Sequence, residues 1–140
     1  MKNQNIEARA RADVLADYLG ELRESVKPQG GFGEIETPAG DFMVLTDVEA
    51  QARAQEYITE TLWAFRPGFL ARFIPLNPGT IKAMQEALEE SANPAFLAMV
   101  KDLNRLCFEA IQEDGRGHFL ASYDGDEIKL PGGFFAYRIN

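Results

Sequence analysis

Cysteine is almost absent from this chain. Cys107 stands alone among 140 residues, so no disulfide closes within the sequence, and a reducing cytoplasm is its simplest home. Long apolar runs are missing too. No stretch approaches the roughly 20 residues that a membrane helix needs. The opening Met1-Lys2-Asn3-Gln4-Asn5 leads into a charged amphipathic segment without a signal-peptide hydrophobic region. Clustered positive charge is the third absence. Lys and Arg number 14 against 22 Asp and Glu, a formal charge of −8. The excess is spread along the chain, with 12 acids and 7 bases in residues 1–70 and 10 and 7 in residues 71–140. Affinity for a phosphate backbone needs Lys and Arg gathered together, so direct nucleic-acid binding is disfavoured. There is no internal repeat, Walker sequence, dinucleotide fingerprint, nucleophile elbow, paired-His zinc motif or CxxC, and no cofactor is expected.

What is present suits one domain with a sizeable core, filled from ten Phe, four Tyr and one Trp. Residues 5–26 read as a helix, because Val14, Leu15, Tyr18, Leu19, Leu22 and Val26 follow the 3, 4 spacing of one helical face. Gly30-Gly31-Phe32-Gly33 has neither the lysine nor the strand-to-helix context of a phosphate loop and reads as a linker. Glu34–Thr37 and Asp41–Leu45 flank Pro38-Ala39-Gly40 as a hairpin. Thr46-Asp47-Val48-Glu49 is a capping-box pattern opening a helix to about Phe65, with Val48, Ala52, Tyr57, Ile58, Leu62 and Phe65 available for burial. Phe69 to Ile74 form another turn or two.

Asn77-Pro78 and Asn93-Pro94 each put an N-cap residue before a proline at the first helical position. The second of these helices is expected to run to Gly115, burying Phe96, Leu97, Val100, Leu103, Cys107 and Ile111. Asp126–Leu130 and Phe134–Ile139 form a terminal hairpin around Pro131-Gly132-Gly133. The expected class is α+β: three to four helices packed on a small antiparallel sheet that ends in a C-terminal β-hairpin.

Two constellations bear on function. His118, the one histidine, shares a short segment with Asp124, Asp126 and Glu127. A histidine beside carboxylates has the makings of a general base or a metal ligand. Turn chemistry also explains Asp124 and Gly125, and the spaced oxygens of a calcium loop are missing. Cys107 lies on an apolar stripe, where it behaves as a small hydrophobe.

The second constellation is acidic. Asp13, Asp17, Glu21 and Glu24 recur at spacings of 4, 4 and 3, a narrow arc of a helix 5–26, with Glu56 and Glu60 as extensions. Like charges so placed work against the helix, which hints at use. A row of charges one helical turn apart imitates a nucleic-acid backbone to a basic protein. A solvated helix face partly neutralised by Arg9 and Lys27 is the plainer account. Tyr57, Trp63, Phe65, Phe69 and Phe73 around Pro67 read as core, with an exposed part suited to anchoring a partner or a second copy.

The tail from Gly115, with Gly117-His118-Phe119-Leu120, Tyr123-Asp124-Gly125 and Ala136-Tyr137-Arg138-Ile139-Asn140, resembles the ends of small acidic proteins encoded by phages and prophages. That family brings no assigned catalytic residues. The resemblance implies a phage setting, where small acidic proteins inhibit host defence enzymes in the anti-CRISPR or anti-restriction manner. The expected function is therefore a non-enzymatic protein offering Asp13, Asp17, Glu21, Glu24, Glu56 and Glu60 to a basic, nucleic-acid-binding defence protein. A small hydrolase or metal-dependent enzyme centred on His118, Asp124, Asp126 and Glu127 is the alternative.

Overall fold

Eighteen residues of helix open the chain and stop at a glycine. The computed structural model describes residues 2–140, with side chains from Ile6 onward. Its elements begin with α1 (Lys2–Leu19), β1 (Lys27–Pro28), β2 (Glu34–Thr37), β3 (Gly40–Thr46) and α2 (Asp47–Glu60). There follow α3 (Pro67–Leu70), α4 (Pro78–Leu88), α5 (Asn93–Met99), α6 (Leu103–Asp114) and α7 (Arg116–Leu120). The chain closes with β4 (Ile128–Lys129) and β5 (Phe134–Arg138). The class is α+β, with a C-terminal hairpin.

Two compact units divide the residues: Met1–Arg53 with Gly115–Asn140, and Ala54–Asp114. The first unit is built on one antiparallel sheet of order β1-β2-β3-β5-β4, so the two hairpins foreseen in the sequence share it through the pairing of β3 with β5. Central β3 carries Phe42, Met43, Val44 and Leu45, all buried. A continuous apolar run is what a strand covered on both faces requires. On one face, Ile35, Phe42, Val44 and Ala136 meet Ala12, Leu15 and Ala16 of α1, with Val26 and Leu130 closing the cluster. Truncating Leu15, which has no exposed surface, has the typical core cost of about 2–5 kcal/mol. The two edge strands are two residues each, and β1 ends in a proline; short, interrupted edges resist pairing with other chains.

Several boundaries differ from expectation. The first helix ends at Leu19, because Gly20 adopts φ +72 and turns the chain into a 3₁₀ turn, Arg23–Ser25. Tyr18 and Leu22 are exposed, and Val26 reaches the core from extended backbone rather than from a helix. Gly30-Gly31-Phe32-Gly33 is not a free linker. It is the loop of an extra hairpin, β1 with β2, and Gly33 accepts the Val44 N–H at 2.8 Å. The capping box of α2 forms as expected: Glu49 accepts the Thr46 N–H at 2.8 Å and Thr46 Oγ1 accepts the Glu49 N–H at 3.3 Å. Its buried stripe is Ala50, Ala54, Ile58 and Leu62, while Val48 is 78 % exposed and Ala52 and Tyr57 also lie outward. Helix α2 stops at Glu60, short of the foreseen Phe65, with a 3₁₀ turn at Leu62–Ala64.

In the second unit Asn77 caps α4 as its sequence implies, accepting the Thr80 N–H at 2.8 Å. Asn93 does not cap. A 3₁₀ turn, Glu89–Ala92, runs directly into α5 and leaves Asn93 itself helical. Its side chain instead accepts the Trp63 N–H at 3.1 Å and donates to the Thr59 carbonyl at 3.0 Å, satisfying backbone groups freed where α2 ends. The single helix foreseen to Gly115 breaks after Met99, and Asp102 restarts it by accepting the Arg105 N–H at 3.1 Å. Gly115, at φ +83, ends α6 but is followed at once by α7 rather than by a loop.

Candidate functional site

The acidic row of the sequence does not survive as a row. Asp13 and Asp17 lie on α1, whereas Glu21 follows the Gly20 turn and Glu24 sits in the 3₁₀ turn. The chain's own arginines take up the first two. Arg9 pairs with Asp13 at 2.8 Å, and Arg23 approaches Asp17 at 2.8 Å and Asp13 at 3.6 Å. The Arg23 hydrogen bond holds the Asp17 carboxyl below its ordinary range. Arg9 also donates to the carbonyls of Arg23 and Val26, each at 2.8 Å, so it fastens the turn to the helix. Glu21 and Glu24 have no ion pair or side-chain hydrogen bond among the described residues. Beside them Tyr18 is 53 % and Leu22 69 % exposed. Glu56 and Glu60 are exposed on α2.

Of the acids grouped with His118 in the sequence, Asp124 and Glu127 make hydrogen bonds within the chain. His118 is exposed and edge-on to Phe119 at 4.9 Å between ring centres. Asp124 accepts the Asp126 N–H at 3.0 Å, an Asx turn. Glu127 accepts from Arg116 Nε at 2.8 Å and from the Tyr137 hydroxyl in a short hydrogen bond. Arg116, in turn, donates to Asp47 Oδ1 at 2.8 Å and stacks 4.7 Å from the Phe135 ring centre. Burial alone would lower the Arg116 pKa, but its bonds to Glu127 and Asp47 outweigh that and raise it. Tyr137 is wholly buried, and burial together with the Glu127 carboxylate pushes its phenol far above the ordinary range. Among the described residues no group of three or more His, Cys, Asp or Glu is placed to hold a metal ion. Cys107 is buried, which raises its thiol pKa, as an inert core cysteine requires.

No family model, curated protein or solved structure matches the chain. Among the described residues no helix is long and apolar enough to cross a membrane.

The charge network that organises the first unit escaped sequence reasoning. Arg11, 4 % exposed, donates to Glu49 Oε1 at 2.6 Å, Glu49 Oε2 at 3.0 Å and the Val44 carbonyl at 2.9 Å. Its guanidinium lies 5.4 Å from the ring centre of Phe32 and 5.3 Å from that of Phe134. One side chain thereby joins α1, β3, the β1–β2 loop and the N-terminus of α2. The Arg11 hydrogen bonds hold the Glu49 carboxyl below its ordinary range against the opposing effect of burial. The one available signal was an arginine at a core-facing position of an otherwise apolar helical stripe.

Proposed function

We propose that the chain is a non-enzymatic binding protein that presents an acidic surface to a basic protein partner. The observation that carries this is the turn after α1. There two carboxylates with no ion pair among the described residues, Glu21 and Glu24, stand beside exposed Tyr18 and Leu22. An apolar anchor of this kind supplies most of an interface's binding energy, while the surrounding charge steers encounter and selects partners of opposite sign. Asp13 and Asp17 contribute less than the sequence implies, since Arg9 and Arg23 already balance them. Glu56 and Glu60 add negative charge on α2.

In the phage setting implied by the tail, the partner is a nucleic-acid-handling defence protein whose basic site this surface blocks. Affinity purification of the tagged chain from its host at two salt concentrations tests this. A nucleic-acid-binding protein retained at low salt and released at high salt is expected, because exposed charge contacts are screened within about 10 Å at 0.1 M. That protein should also lose its nucleic acid when the chain is added. Capture that ignores salt, or a captured protein that keeps its nucleic acid, contradicts the proposal.

A further inference from the structure

Positive charge is unevenly placed within the second unit. Residues 54–114 contain nine acids and only five bases, Arg66, Arg72, Lys82, Lys101 and Arg105. Three of the five, Arg72, Lys101 and Arg105, line one open groove of about 520 Å³, with Asp102 and Glu109 as its acids. Phe73, Ile74 and Pro75 supply apolar wall. The volume falls within the roughly 300–1,000 Å³ range of small-molecule sites.

The backbone breaks build this groove. The interruption between α5 and α6 puts Lys101 on a loop, held to the Phe73 carbonyl by its N–H at 3.3 Å. Arg105 stands on the first turn of α6, which begins there. Arg72 is fixed over the rings of Phe69 and Phe73, 5.2 and 5.4 Å from their centres. Between the two arginines lies the Glu109 carboxylate, 2.7 Å from Arg72 and 3.3 Å from Arg105, and Arg72 also holds Glu113 at 2.7 Å. Lys101 has no ion pair among the described residues. A carboxylate of the chain therefore already occupies the place where an anion is favoured. Arg72 is taken by both carboxylates, so an incoming ligand competes with Glu109 for Arg105 and meets Lys101, which favours a phosphate monoester near −2 over another carboxylate.

We infer that this groove binds a small phosphorylated molecule, its phosphate taken by Lys101 and Arg105 and its body laid against the Ile74–Pro75 wall. Adenosine monophosphate, inorganic phosphate and adenosine are suitable probes, titrated into the full chain and followed by amide chemical shifts. Saturable shifts at Lys101, Arg105 and Glu109 are expected with the nucleotide, and weaker ones with phosphate alone. Lys101→Ala and Arg105→Ala should each weaken nucleotide binding roughly tenfold, the scale of one charge-assisted hydrogen bond. Glu109→Gln should tighten it several-fold, because the internal competitor loses its charge. Glu90→Gln, the same charge change outside the groove lining, should leave it unaltered. Absence of saturation with both nucleotide and phosphate overturns the inference, as do shifts indifferent to Lys101→Ala and Arg105→Ala. Equal binding of adenosine and its monophosphate overturns the phosphate assignment.

Discussion

Replacing Arg11 by alanine should be among the most damaging single changes in the first unit. It removes three charge-assisted hydrogen bonds, two to Glu49 and one to the Val44 carbonyl, and opens the space between Phe32 and Phe134. Breaking a fully buried ion pair costs about 3–5 kcal/mol, chiefly through the charge left behind. Glu49 retains some access to water and keeps its bond from the Thr46 N–H, so part of that penalty is relieved. The expected loss is then about 2–4 kcal/mol. Arg11→Met, which keeps most of the packing between the rings, should lose about half as much.

Urea unfolding of Arg11→Ala, Glu49→Ala and the double variant measures the pair directly. A coupling of at least about 1.5 kcal/mol is predicted for residues sharing two hydrogen bonds. The pH dependence has a definite sign. Glu49 titrates lower in the folded chain than unfolded, so its contribution is complete above the ordinary carboxylate range of about 4.3 and is lost as pH falls through the folded value. Arg11→Met should flatten that part of the stability profile. Additive single losses, or an unchanged acid limb, would refute the role assigned to Arg11.

Other consequences follow from the same contacts. Tyr137 should resist ionisation in the folded chain, so Tyr137→Phe should leave the ultraviolet alkaline titration of the native protein unchanged while removing one phenol from that of the unfolded protein. Because folding raises the Tyr137 pKa, its contribution is full below the unfolded value of about 10 and declines as pH rises above it. Asn93→Ala should cost about 1–3 kcal/mol by orphaning the Trp63 N–H and the Thr59 carbonyl, with a change in the fluorescence of the one tryptophan. Gly40→Ala should destabilise by at least about 1 kcal/mol in thermal melts, since Gly40 sits at φ +140 and a Cβ there collides with the Asn140 carbonyl oxygen.

What could be read from the sequence was local. The Thr46–Glu49 box and the Asn77 cap are satisfied within three residues, and both form as their spacing implies. Asn93-Pro94 carries the same local signal as Asn77-Pro78, yet its asparagine serves backbone groups 30 and 34 residues away. Gly20 lies inside an apolar pattern that continues to Val26, so periodicity alone carried the first helix six or seven residues too far. That error placed Glu21 and Glu24 on a helical arc with Asp13 and Asp17. The ion pairs of Arg9 and Arg23 then separate Asp13 and Asp17 from Glu21 and Glu24, which have no such pair among the described residues. Arg11 was illegible because Glu49 lies 38 residues further on. The α+β class and the terminal hairpin were legible because the turn signals of Pro131-Gly132-Gly133 and the alternation around them are close in sequence.

The central claim is that Glu21 and Glu24 form part of a partner-binding surface. Its most direct test is capture from the host by the wild-type chain, Glu21→Lys/Glu24→Lys and Glu89→Lys/Glu90→Lys, compared under one low-salt condition. Neither reversed pair breaks an intramolecular ion pair among the described residues, and both variants change the net charge equally. Loss of a basic, nucleic-acid-binding protein only from Glu21→Lys/Glu24→Lys, with unchanged thermal stability, is the predicted result. Equal capture by all three would contradict it.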